Sequence, residues 1–135
     1  MKGLLSLGLA SGLTALLAGC ASGPQLATDQ DYVLEWIGER PLIDSSYLSI
    51  TLGSDNRAFG STGCNHWFAP YTLKGKHLTI GTPSSTRKAC APALMEQERR
   101  YLAELPKVKR WDLSGNGQLR LWPDQGAPLR FWPQE

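Results

Sequence analysis

Tyr47-Leu48-Ser49-Ile50-Thr51-Leu52, followed by Gly53-Ser54-Asp55-Asn56, is the stretch that decides the fold. Leu48, Ile50 and Leu52 share one parity, and Tyr47, Ser49 and Thr51 share the other. Successive side chains of a strand point to opposite faces, so this is a half-buried strand that ends in a turn. The pattern repeats on both sides of it. Strands are predicted at 32–37, 57–62 with Phe59 inward, 67–73, 77–80, 108–113, 118–122 and 128–132, with 84–89 extended. Gly63-Cys64-Asn65, Lys74-Gly75-Lys76, Gly115-Asn116-Gly117 and Asp124-Gln125-Gly126 supply bends between them. Leu78 and Ile80 point inward, which leaves His77 on the polar parity.

One segment follows the other period. Leu94, Met95, Tyr101, Leu102 and Leu105 form a stripe at helical spacing, Pro92 suits a first turn and Pro106 ends the run, so a helix is predicted at 91–105. The expected fold is α+β: an antiparallel sheet curved into a partly closed barrel of about eight strands, with that helix packed on it.

Upstream, Met1-Lys2 precedes an apolar run from Leu4 to Ala18 that ends at Gly19-Cys20. The run is shorter than the roughly 20 residues of a spanning helix and has the layout of a secretory signal. The Leu17-Ala18-Gly19-Cys20 end resembles a bacterial lipobox, which makes Cys20 the lipidated first residue of the mature chain. Several acyl chains on one residue anchor stably where one does not. Residues 1–20 are thus read as a lipoprotein signal peptide, 21–30 as a flexible tether and 31–135 as the folded domain. Ala21 follows the Cys in place of Asp, and the resemblance to known lipoprotein sorting implies the outer membrane, facing the periplasm.

Composition narrows the function classes. The 135 residues are 41% hydrophobic and 19% charged, with 14 Lys and Arg against 12 Asp and Glu. The length excludes a large multi-domain enzyme, and the single apolar stretch excludes a polytopic membrane protein. No basic cluster supports nucleic-acid binding.

Cys64 and Cys90 remain once Cys20 is assigned to lipid. In an oxidising compartment the pair reads most simply as a disulfide, worth about 3.5 kcal/mol by loop entropy. Free buried thiols, or a metal site shared with His66 and His77, are the alternatives, although the spacing matches no zinc pattern. Cys64 and His66 share a face in an extended chain, but a disulfide would remove the nucleophile. No nucleophile elbow, metalloprotease helix or phosphate loop is present, so no catalytic residue and no cofactor are expected.

Glu98 lies on the apolar stripe of the helix, where an unpaired carboxylate is costly. It is expected to be a structural buried acid that accepts hydrogen bonds from the 63–65 bend or pairs with Arg87. Five Trp in a short domain point to core and cross-strand packing, which Trp36 and Trp111 are expected to serve. In the last hairpin, Arg120, Trp122, Arg130 and Trp132 share the face opposite Leu119, Leu121, Leu129 and Phe131. Arg and Trp are enriched in binding hot spots, so these four are the candidate binding surface. The expected register pairs Arg120 with Trp132 and Trp122 with Arg130, which keeps the two guanidinium groups apart.

The run Gly63-Cys64-Asn65, Trp67-Phe68, Leu78-Thr79-Ile80, Ser85-Thr86-Arg87-Lys88-Ala89-Cys90, then Leu94-Met95, Glu98 and Tyr101-Leu102, resembles the META domain, or HslJ-like, family over about residues 31–132. The resemblance implies a small, exported or lipid-anchored α+β domain linked to heat-shock and antibiotic-stress responses, with no known enzymatic activity. The expected partners are the membrane, through Cys20, and an envelope protein or glycan. The alternative is an exported inhibitor of a hydrolase such as lysozyme, presenting the 66–70 stretch as a loop.

Overall fold

The computed structural model of the chain describes residues 23–135, together with residues 3, 8 and 10–15. Cys20, the expected lipidation site, lies outside the described residues. The elements in order are β1 (Asp31–Ile37), β2 (Arg40–Pro41), β3 (Ser49–Leu52), β4 (Arg57–Ser61), β5 (His66–Lys74), β6 (His77–Ile80), β7 (Ser84–Ser85), α1 (Pro92–Glu104), a 3₁₀ turn (Leu105–Lys107), β8 (Val108–Leu113), β9 (Leu119–Pro123) and β10 (Leu129–Pro133).

Eight of the strands make a closed antiparallel barrel in the order β1-β3-β4-β5-β6-β8-β9-β10, and β10 returns to β1. Closure is complete because β1 pairs with β10 from Tyr32↔Pro133 to Ile37↔Leu129 and with β3 through Asp31–Val33 on its other side. The two short strands lie outside the ring, β2 against β1 and β7 against β5.

Alternation fills the interior. Leu34, Leu48, Ile50, Leu52, Leu78, Ile80, Leu119, Leu121, Leu129 and Phe131 are all buried. One parity expectation fails. Phe59 is 44% exposed, while Ala58 is fully buried. Trp67 occupies the inside at that level, which leaves room there only for small neighbours. A Cβ on Gly60, the Trp67 ladder partner, would lie 2.9 Å from the indole nitrogen and 2.0 Å from the Ser49 carbonyl oxygen. Trp36 serves cross-strand packing and not the core, with Arg130 6.0 Å from its ring. A bulge between Leu34 and Trp36 inserts Glu35, and the extra residue turns Trp36 outward opposite Arg130. Trp111 is buried.

The barrel has two unlike ends. At one, α1 lies across the opening with the 42–48 loop and the Thr62–Asn65 bend beneath it. Tyr101, fully buried, packs edge-on to Trp67 at 6.0 Å and tilts against Phe131 at 6.4 Å. Its hydroxyl donates to the Ser49 carbonyl at 2.9 Å, and burial pushes its phenol well above the ordinary value. The helix spans residues 92–104, and Leu105 and Pro106 continue as the 3₁₀ turn that leads into β8.

At the open end are the β3–β4, β5–β6 and β8–β9 turns and the start of β1. Here the predicted tether differs from the structure. Leu26 is 6% exposed and belongs to the core cluster, and the Asp29 N–H donates to the Leu52 carbonyl at 2.7 Å. Residues 26–30 are therefore folded onto the barrel, because Leu26 finds an apolar seat beside Leu73 and Trp111. The thinnest part of the wall is also here. β6 and β8 share one ladder pair, His77↔Arg110, reinforced by the Trp111 N–H to the Lys76 carbonyl at 3.1 Å.

Candidate functional site

Chemistry-bearing residues gather at three places. The first is beneath the N-terminal half of α1. Glu98 is buried, and one carboxylate oxygen accepts from the Thr62 hydroxyl at 2.6 Å and the Asn65 side-chain amide at 2.8 Å. Thr62 has one proton to give, and the carboxylate is its nearest acceptor. Asn65 carries the network further: its amide oxygen accepts from the Lys88 N–H at 2.7 Å and the Thr86 hydroxyl at 2.9 Å. Of the two partners expected for Glu98, the bend supplies the hydrogen bonds, and Arg87 is exposed. Cys64 and Cys90 are joined by a disulfide, with Cα atoms 6.1 Å apart. Bend, 86–90 segment and helix are therefore tied to one another by a covalent bond and a hydrogen-bonded acid.

Gln97 belongs to the same face and was not singled out by its sequence. It is fully buried, accepts from the Ile43 N–H at 2.8 Å and donates to the Ser46 hydroxyl at 3.0 Å. Its helical position, one residue before Glu98, was the available signal. The two histidines do not converge: His66 begins β5 beside the bend, whereas His77 pairs with Lys74 at the far end of that strand. Among the described residues, no group of three His, Cys, Asp or Glu is placed to share a metal ion.

The second place is the outer wall formed by β8, β9, β10 and β1. Arg120, Trp122, Arg130 and Trp132 do share this face, but the register differs from expectation. Arg130 stands directly opposite Arg120. The hydrophobic partners Leu129↔Leu121 and Phe131↔Leu119 fix that pairing from the inside, because a shift would turn them out of the core. The like charges are tolerated because Asp112, opposite Arg120 on its other side, binds that guanidinium at 2.7 and 2.9 Å. Asp112 also accepts from the Trp122 indole at 3.0 Å. Partial burial pushes the Asp112 carboxyl up. The hydrogen bonds from Arg120 and Trp122 and the charges of Arg120 and Arg110 outweigh that, and the net is below the ordinary carboxylate value.

The cation–π contacts are correspondingly rearranged. Arg110 lies 4.7 Å and Arg120 5.5 Å from the Trp122 ring, and Arg130 lies 6.0 Å from Trp36. Trp132 donates its indole N–H to Glu35, which also accepts from Gln118 at 3.1 Å. Arg130 differs from its neighbours. Among the described residues no acid pairs with it, and its buried Nε has no hydrogen-bond partner.

The third place was not foreseen. On the outside of β3–β4–β5, Phe59 lies opposite Phe68, and with Tyr47 they border a shallow groove of about 350 Å³ over Ser49, Thr51 and Ser61. Phe68 and Tyr47 are 48% and 43% exposed. The 66–70 stretch, expected as a loop under the inhibitor reading, is the first half of β5 inside this sheet.

A model of the META domain family matches residues 24–135. An NMR structure of a protein from Burkholderia xenovorans is similar at 26% identity and a TM-score of 0.66, covering 84% of this chain and 96% of that one. A second NMR structure is similar at 27% identity and a TM-score of 0.59, covering 76% and 87%. A search of curated proteins finds no match.

Proposed function

The chain belongs to the META domain family, and from that premise we propose that it is a lipid-anchored, non-enzymatic protein of the bacterial cell envelope, held by Cys20 in the outer membrane facing the periplasm. Its work is binding, in support of the envelope under heat or antibiotic stress, through the outer wall around Arg130. The observation that carries the reading is the state of that arginine. Arg120, Trp122 and Trp132 spend their polar groups on Asp112 and Glu35, while Arg130 faces a like charge, with an aromatic ring beneath it and no acid of its own. A wall designed only for stability would not keep a second cation there. A guanidinium over a ring on a broad, convex surface suits an envelope protein or an acidic glycan better than a small molecule.

The non-enzymatic half rests on the residues a reaction would need. Glu98 is held by two donors, Cys64 is bonded to Cys90, and the two histidines lie at opposite ends of β5. The hydrolase-inhibitor alternative has lost the loop it would have presented.

The test is Arg130→Gln, measured by thermal melting and by complementation of a deletion strain under heat or antibiotic stress. Unchanged or raised stability with lost complementation is expected, and full complementation by the folded variant would remove this wall as the binding surface. Cys20→Ser tests the anchor: release from the membrane fraction is expected. Retention without an uncleaved signal segment would exclude it.

A further inference from the structure

We infer that the open end of the barrel is the membrane-facing surface and that its basic edge, Lys74, Lys76 and Arg110, binds anionic phospholipid headgroups. The inference rests on the lipid-anchor reading and gives it an orientation. Cys20 stands only six residues before Leu26. A chain of that length reaches about 20 Å at most. Leu26 is seated in the core, and Gly23–Leu26 share one cavity with Leu73, Gly75, Lys76 and Trp111. A tether that short and that firmly seated cannot let the barrel drift or turn over. Whichever end holds Leu26 must lie at the bilayer, and that is the open end. The helix end, the disulfide and the Glu98 network then face away from it.

The charges at that edge agree. Lys74, His77, Arg110 and Trp122 follow one another across β5, β6, β8 and β9 as a single ladder row. Lys74, Lys76, His77 and Arg110 are exposed, and the Lys76 ammonium sits 3.9 Å over the Trp111 ring, at the mouth of the cavity that holds the tether. The acids of this end lie elsewhere on the ring or are paired. Asp29, Asp31 and Asp55 stand on the β1–β3–β4 side, where they accept from the Ser54 N–H, the Thr51 hydroxyl and the Arg57 N–H, and Asp112 is bound by Arg120. Basic side chains beside a lipid anchor add to it by attraction to anionic headgroups.

The lipidated full chain is reconstituted in vesicles of phosphatidylcholine, with and without phosphatidylglycerol, and amide exchange is followed at residues 74–77 and at the 62–65 bend. Exchange at 74–77 should slow when phosphatidylglycerol is present, by about fivefold for each lysine engaged. High salt should reverse the effect, and Lys74→Glu with Lys76→Glu should abolish it. Arg87→Glu, at the helix end, should leave it unchanged. Equal exchange in both vesicle types, or protection of the 62–65 bend instead, overturns the inference. Flotation separates this from the anchor itself. A chain that fails to float with phosphatidylcholine alone is not lipid-anchored. In that case flotation with phosphatidylglycerol that the two lysine changes abolish still supports the basic edge, and its absence refutes it.

Discussion

Glu98 shows how far a single residue could be read. Its place on an apolar stripe announced a buried acid, because a carboxylate there must be satisfied. Its donors, Thr62 and Asn65, come from a bend more than 30 residues away, and only the fold brings them near. Glu98→Ala should lower stability by about 1–3 kcal/mol through stranded donors, and Glu98→Gln by less, in urea unfolding. Gln97 gave a weaker signal: its helical position beside Glu98 was visible, but an uncharged polar residue on a helix raises no conflict until its burial is known. Asp112 carries a pH signature. Its folded pKa lies below the unfolded value of about 3.9, so its stabilisation is present above that pH and is lost as pH falls through the folded value. Asp112→Asn should therefore be less stable than wild type at neutral pH, since it leaves Arg120 facing Arg130, and the gap should close below about pH 4 in paired denaturation curves. Arg120 and Arg130 also explain the failed register: charge argued for one pairing, but burial of four apolar side chains decided for another.

At the scale of elements, the strands were legible because their period is two, and the helix because its stripe has another period and is bounded by prolines. What the period alone does not show is a local break or a steric demand from the next strand. A one-residue bulge in β1 turned Trp36 outward, and the bulk of Trp67 reserved the inward side of β4 for Ala58 and Gly60. Nothing local to 57–62 announces that reservation, because Trp67 lies on the next strand. Gly60→Ala should be severely destabilising, since the added methyl meets backbone rather than a flexible side chain. Expression at low temperature followed by thermal melting is the measurement. The disulfide staples the β4–β5 bend to the approach to α1 across 26 residues. Replacing Cys64 and Cys90 with Ser should cost about 3.5 kcal/mol, measurable as a lower urea midpoint with a steeper slope, since the uncrosslinked chain exposes more surface on unfolding.

For the whole molecule, the barrel wall is uneven. One ladder pair and one further backbone hydrogen bond join β6 to β8, whereas β4–β5 and β1–β10 each pair over five positions. Amide exchange of the free chain should be fastest, among barrel strands, along β6 and the facing start of β8, and slowest along β4–β5. Equal protection on both would mean that the wall opens only by global unfolding. The pairing of β1 with β10 has a consequence in time. The strand that closes the barrel is the last to be synthesised, and its partner is almost the first. The contact spans nearly the whole domain, and such long-range pairings form late. Until residues 129–133 leave the ribosome, β1 and β9 each present a bare edge, so the nascent polypeptide stays uncommitted and threadable for nearly the whole of its synthesis. A message truncated before codon 129 would fix that transient condition permanently, and its product should associate edge to edge with other copies of itself.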